Sequence, residues 1–330
     1  MSRLPKATSL AVLVAVAAVT LQALLVPLFA GPAANLEPRD LPLAVAGPAP
    51  AADQLAARLA AAHPGAFDVR VVADADAAIR NRDVYGAIVL GPQGPSLHVA
   101  SAAGPAVASL LTQATAALGE GRPVPVVDVV PSDADDPRGA GFGSGFLPLA
   151  MTSLLAGVLI FLVVKRRGDR LLALGTFAVL AGLCGAAVQQ YWLSVLPGDY
   201  LSNAAVMGLF GLAVAGTVAG LAAVLDRAGL ALGALTVFLV GNALSGVSSA
   251  AELLPQPWGA VGQYLPIGAG STLLRSVAYF DGNGAGTAIW VLCAYAIGGL
   301  LLVAFGRRGL AGPAAEVAPA PAEREPALAG

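Results

Sequence analysis

Lysine is nearly missing from this chain of 330 residues, which has only Lys6 and Lys165. Charged residues of all kinds make up 12% of it, where a soluble domain carries about 25%. With a net charge of −2 there is no basic face for a nucleic acid. Histidine is scarce too: His63 and His98 lie far apart without a ligand-spaced neighbour, and both read as solvated surface residues. The two cysteines, Cys184 and Cys293, sit inside apolar runs and read as packing residues, not as a disulfide framework. Catalytic motifs are missing as well. There is no G-x-x-x-x-G-K-[ST], no H-E-x-x-H, no C-x-x-C and no G-x-S-x-G. The sequence therefore gives no catalytic, cofactor-binding or metal-ligating residue. The acidic cluster Asp133, Asp135 and Asp136 lacks the glycine and glutamate of a calcium loop and reads as a solvated linker.

Apolar residues dominate what is present. They form 57% of the chain, and the mean hydropathy is +0.77. Long apolar runs exclude disorder despite 40 glycines and 24 prolines. A spanning helix needs about 20 apolar residues. Six stretches qualify: 10–30, 146–164, 171–191, 203–225, 230–249 and 288–305. The first also resembles a signal peptide, but its core is longer than the usual 7–15 residues, which favours a retained anchor. Arg3, Lys6, Lys165, Arg166, Arg167, Arg170, Arg227, Arg307 and Arg308 all fall on one side of a six-span topology. The positive-inside rule makes that side the cytoplasm of a bacterial cell membrane, with both termini there.

The expected fold class is an α-helical polytopic membrane protein with six transmembrane helices, one plus five, and an inserted α+β extracytoplasmic domain. The division runs 1–30 for the N-terminal helix and 31–145 for the outer domain and its linker. Residues 146–306 form a five-helix bundle, and 307–330 a disordered tail. The outer domain is acidic, with 7 Arg against 12 Asp and Glu. Strands are predicted at 41–45, 67–72, 84–90, 96–100 and 124–130, and helices at 51–62, near 76–80 and at 106–118. Asp74 or Asp76 caps the short helix, and Gly91–Gly94 turns the chain.

No Asp, Glu, Lys or Arg lies near the middle of a span, which weakens a proton-driven mechanism. Gly208, Gly211, Gly216 and Gly220 make a small face suited to helix packing. The outer segment 252–287, between the last two spans, is too apolar for a free loop and is broken by Pro255, Pro257 and Pro266. Trp258, Tyr264, Tyr279 and Phe280 are headgroup-level residue types, and 272–280 suggests an interfacial helix carrying Arg275. Glu252 is either solvated at the rim or a partner for Arg275. Irregular backbone at this depth must be buried in protein or line a wet cavity. Glu252, Trp258, Gln263, Tyr264 and Arg275 are thus candidate gate residues.

The order of one span, outer domain and five spans resembles the membrane subunits of ABC-2-type transporters, especially the phage-infection-protein (Pip)-like group. Val71–Arg80 and Tyr85–Leu90 look like that group's outer domain. Leu254–Trp258, Gln263–Gly268 and Leu274–Gly282 look like its segment before the last span. The resemblance implies a permease without enzymatic activity of its own. It would form a homo- or heterodimer in the lipid bilayer, powered by a separate ATP-binding subunit, and export a hydrophobic or cell-envelope substrate. Lys165, Arg166, Arg167 and Arg170 would then be the cytoplasmic docking residues. The alternative is a membrane-anchored envelope protein whose outer domain binds a partner, such as a phage or a secretion component, without transport. The short loop 165–170 favours that alternative.

Overall fold

The computed structural model describes residues 6–116 and 123–306. The proposed tail 307–330, together with Arg3, Arg307 and Arg308, lies outside the described residues. The chain is mostly helical and is a polytopic membrane protein: five of its helices are long and apolar enough to cross a membrane. They are α1 (Lys6–Ala34), α5 (Ala140–Val163), α6 (Arg167–Ala187, extended by a π-turn Val188–Trp192), the run that begins with α7 (Tyr200–Gly233) and α11 (Gly286–Phe305).

Two of the six apolar stretches merge in that run, Tyr200–Ala243, which continues α7 through a π-helical segment, Ala234–Val240, into α8 (Gly241–Ala243). The run is broken at Asp226, whose φ of 52° and ψ of −131° are not helical. The backbone of Gly229 then lies against Leu221 and Ala222, and that of Gly233 against Val218. A straight helix would separate such pairs by about 10 Å or more at about 1.5 Å per residue. The chain therefore doubles back at Asp226, and the two arms run antiparallel.

Helix α7 is the centre of the bundle, with 72% of its apolar window buried, and it packs against α5, α6 and α11. Small residues permit this closeness. A Cβ on Gly182 would lie 2.2 Å from the Ala204 carbonyl oxygen, and one on Gly299 would lie 2.4 Å from the Gly216 carbonyl carbon. Phe142, Phe146 and Phe210 form an aromatic core near one end, with centroids 5.6 and 5.5 Å apart in sequence order. Phe161, Leu174, Ala219 and Val303 form a second core toward the other end. By contrast, the apolar window of α1 is 0% buried.

Residues 41–128 build a five-stranded sheet in the order β2–β1–β3–β4–β5, from β1 (Leu41–Ala46), β2 (Phe67–Val71), β3 (Gly86–Gly91), β4 (Gly94–Val99) and β5 (Val126–Asp128). β1 pairs in parallel with β2 and β3, β3 and β4 form an antiparallel hairpin closed at Gly91↔Gly94, and β5 runs parallel to β4. Helices α2 (Ala49–Ala62) and α4 (Pro105–Ala116) cover one face through Leu55, Leu59, Val107 and Leu111. Helix α3 (Ala75–Arg80) covers the other through Ala75, Ala78 and Ile79. Alternation in β1 explains this, because Leu41 and Leu43 face one core while Ala44 and Ala46 face the other.

The bundle completes both cores of this lobe. Ala250 and Leu253 join the first, and Phe280 joins the second. Those residues flank two further helices, α9 (Trp258–Gln263) and α10 (Pro266–Tyr279). The proposed linker 131–145 is shorter than expected, because α5 starts at Ala140. Asp136 is not solvated. It is buried, and its Oδ2 accepts the Phe142 N–H at 2.8 Å, capping the helix. Gly143 and Gly145, read from sequence as linker, instead let Ser248 and Gln189 approach α5.

Candidate functional site

The segment joining α8 to α11 is the part of the bundle that the lobe sits on, and it is built from short pieces. A single 3₁₀ turn, Ala251–Leu253, precedes α9 and α10. Helix α10 begins at Pro266, six residues earlier than expected, because proline at N1 suits a helix start. Much of it is covered by protein. Ile267, Leu273, Leu274 and Arg275 are all buried. Of the expected headgroup residues, Trp258 and Tyr264 are exposed, whereas Phe280 is buried and Tyr279 is half-buried, donating its hydroxyl to the Val195 carbonyl at 3.3 Å. Burial, and then Asp133 and Asp136 nearby, push the Tyr279 hydroxyl up to about 12.

A cavity of about 260 Å³ lies where the lobe meets this segment. Arg82 and Tyr85 enter it from the lobe, and Glu252, Gln263, Thr272 and Arg275 from the bundle. Arg82 comes from a tight turn. The Arg82 N–H donates to Ile79 O and the Asp83 N–H to Ala78 O, the two bonds that close a Schellman motif after α3. Arg82 holds the left-handed position of that motif, φ 60°, where glycine is usual. Its side chain lies over the Phe280 ring, 5.1 Å from the centroid, and its Nη1 donates to Thr272 O at 3.1 Å and to the Ser276 hydroxyl. Burial lowers its pKa, partly offset by Tyr85 and Glu252.

Arg275, only 7% exposed, donates from Nη2 to Val247 O at 3.1 Å, and its guanidinium covers Phe142 at 4.7 Å. Burial first, and then the like charge of Arg82, bring its pKa down to about 10, so it stays charged at neutral pH. Glu252 neither pairs with Arg275 nor sits free at a rim. Its Oε2 accepts the Tyr85 hydroxyl at 2.8 Å, and that phenol is held well above its usual range by burial and then by the carboxylate beside it. Gln263 donates to Ser245 O at 2.9 Å and accepts from Thr272 Oγ1 at 2.7 Å, which ties α9 to α10 and to the end of α8. The structure thus brings Glu252, Gln263 and Arg275 to one cavity and leaves Trp258 and Tyr264 on the outside of the segment.

The remaining sequence candidates lie elsewhere. Gly208 meets Ala178 and Gly182, Gly211 meets Phe177 and Ser153, and Gly216 and Gly220 meet Gly299, all inside the bundle. At its other end Lys165 and Arg166 are exposed. Arg167 donates to the carbonyls of Ala304 and Gly306. Arg170 is buried over the Phe161 ring and donates to Val164 O and Phe161 O, so its charge closes a helix end instead of facing solvent. His98 is not solvated either: its Nδ1 lies 2.6 Å from Asp76 Oδ1. Cys184 is exposed instead of packed. No cluster of three or more His, Cys, Asp or Glu able to hold a metal occurs among the described residues.

Sequence reasoning missed Arg82 and Tyr85. The one local signal is an arginine where a helix stop calls for glycine. Their partners stand 190 and 167 residues away along the chain. No protein-family model, curated protein or solved structure matches this chain.

Proposed function

We propose that the chain is the membrane-spanning permease subunit of an ABC-2-type exporter, with ATP hydrolysed by a separate subunit. The lobe stands on the extracytoplasmic side, and the segment 252–287 with the lobe seated on it forms the exit gate. The observation that carries this reading is the polar cavity at the junction: a broken, irregular backbone at the end of an apolar bundle, lined by Arg275, Glu252 and Gln263. Such backbone is tolerated at membrane depth where it is buried in protein or lines a wet path. Basic residues at the opposite end, Lys165, Arg166 and Arg227, agree with a cytoplasmic face there. A tagged chain drawn from its native membranes in mild detergent should carry a P-loop ATPase. Repeated recovery without one, including after crosslinking, would remove the motor and the reading with it.

A second reading has one observation in its favour. Arg167 and Arg170 are spent on carbonyl groups within the bundle, which leaves little basic surface for an ATPase to grip. In that reading the lobe binds a partner outside the cell and nothing is transported. Removing residues 35–140 would then abolish all function.

A further inference from the structure

The cavity at the junction is lined by two arginines and two carboxylates, and one of the arginines is buried without an ion pair. Arg275 is buried, yet it forms no ion pair among the described residues. A guanidinium has five N–H donors. Arg275 commits Nη2 to the Val247 carbonyl; its other nitrogens find no acceptor among the described residues and none is fully sealed, the residue bordering this cavity and a smaller one beside Phe142 and Tyr279. The strongest charged neighbour of Arg275 is a second cation, Arg82. Glu252, which lines the same cavity, is turned to Tyr85 and acts on Arg82, and Asp136, beside the Phe142 ring that Arg275 covers, accepts the Phe142 N–H. Asp83 also borders the cavity but is exposed at its mouth. A buried charge without a counter-ion costs several kcal/mol, so Arg275 stands beside a second guanidinium at a net cost unless something compensates it.

We infer that this cavity is a binding site for a phosphate-type oxyanion carrying a small organic group, gripped by Arg275 and Arg82. Guanidinium forks match the oxygens of phosphate and are less strongly hydrated than an ammonium, which suits a half-closed site. The volume of about 260 Å³ is more than ten times the ~10–15 Å³ that one water requires, so a bare ion does not fill it. Gln263 and Thr272 supply polar wall for the organic part. Trp258 and Tyr264, exposed on α9, are residue types enriched at the membrane–water interface, so the phosphate belongs either to a lipid headgroup or to a soluble ester. The inference stands apart from the permease reading, because it is decided by binding alone.

The test uses the purified full-length chain. In neutral detergent, thermal unfolding is followed with inorganic phosphate, with glycerol 3-phosphate and with chloride at matched ionic strength. In nanodiscs, phosphatidylcholine alone is compared with a phosphatidylglycerol mixture. A rise of several degrees with the soluble phosphates supports a soluble ester, and a rise confined to phosphatidylglycerol discs supports a lipid headgroup. Either rise must fall at least tenfold in apparent affinity in Arg275→Gln and persist in Arg58→Gln, a change on the exposed face of α2. No rise over the controls in either arm, or a rise unchanged in Arg275→Gln, overturns the inference. Should Arg275→Gln not fold, Glu252→Gln decides: loss of the competing carboxylate must tighten binding severalfold, and unchanged or weaker binding overturns the site.

Discussion

The hydroxyl of Tyr85, just before the middle strand of the sheet, donates to the carboxylate of Glu252, in the bundle, at 2.8 Å, and so joins two parts of the chain 167 residues apart. A half-buried carboxylate deprived of its donor keeps its desolvation cost without return. Tyr85→Phe should therefore destabilise the junction by about 1–3 kcal/mol. Hydrogen exchange should speed up in 39–46 and 250–254, while the far end of the bundle stays protected. The double change with Glu252→Gln should cost less than the sum of the two singles, since both act on one contact.

Two adjacent glycines in α11 should behave in opposite ways. Gly298 has open space where a side chain would go, whereas a methyl on Gly299 would strike the Gly216 backbone at 2.4 Å. Gly298→Ala should fold like the wild type. Gly299→Ala should lose about 1–3 kcal/mol or more to overpacking, read as reduced folded yield and an earlier melt in detergent.

The cap on α5 predicts a smaller effect. Asp136→Ala removes the acceptor of the Phe142 N–H and should cost about 1 kcal/mol, while Asp136→Asn retains most of it. Thermal melts of the two variants side by side check the order.

At the start of α7, Ser202 donates from both its hydroxyl and its backbone N–H to Asp199 and holds that carboxyl below its ordinary value of 3.8. The folded state thus binds fewer protons there than the unfolded state. The stabilisation is complete above the ordinary value and disappears as pH falls through the lower folded value. Melting temperature measured from pH 6 to 3 should drop less steeply in Asp199→Asn than in the wild type.

Sidedness is testable with single cysteines in a chain where Cys184 and Cys293 are replaced by alanine. Arg80→Cys on the lobe should react with an impermeant maleimide in intact cells. Arg166→Cys at the opposite end should react only after lysis. The reverse pattern would invert the proposed orientation.

The elements that could be read from sequence are those whose signal is local. Alternation marks β2, the Gly91–Gly94 pair marks the hairpin, and continuous apolar runs mark the spanning helices. The junction was hidden for a physical reason. Arg82 and Tyr85 lie in a short irregular stretch without periodicity, and their roles are set by Thr272 and Glu252 far along the chain. Arg275 was found because a charge in an apolar segment stands out, but its neighbours were not. The sequence offers Glu252 as a solvated rim residue or as a partner for Arg275, while the fold gives that carboxylate to a tyrosine. Three acidic residues in a proline-rich stretch resemble a solvated loop, and only the helix start beside Asp136 shows otherwise.

The stretch just after α1 is stitched to the bundle independently of α1 itself. Glu37 and Arg39 donate backbone N–H groups to Leu253 O and Glu252 O, and the Arg39 side chain adds a bond to Leu253 O at 2.8 Å. α1 leaves its whole apolar window uncovered. A chain severed behind Ala34 would accordingly keep its sheet anchored, its cavity walled and its aromatic core filled, so the first helix is a detachable mooring and not a beam of the building.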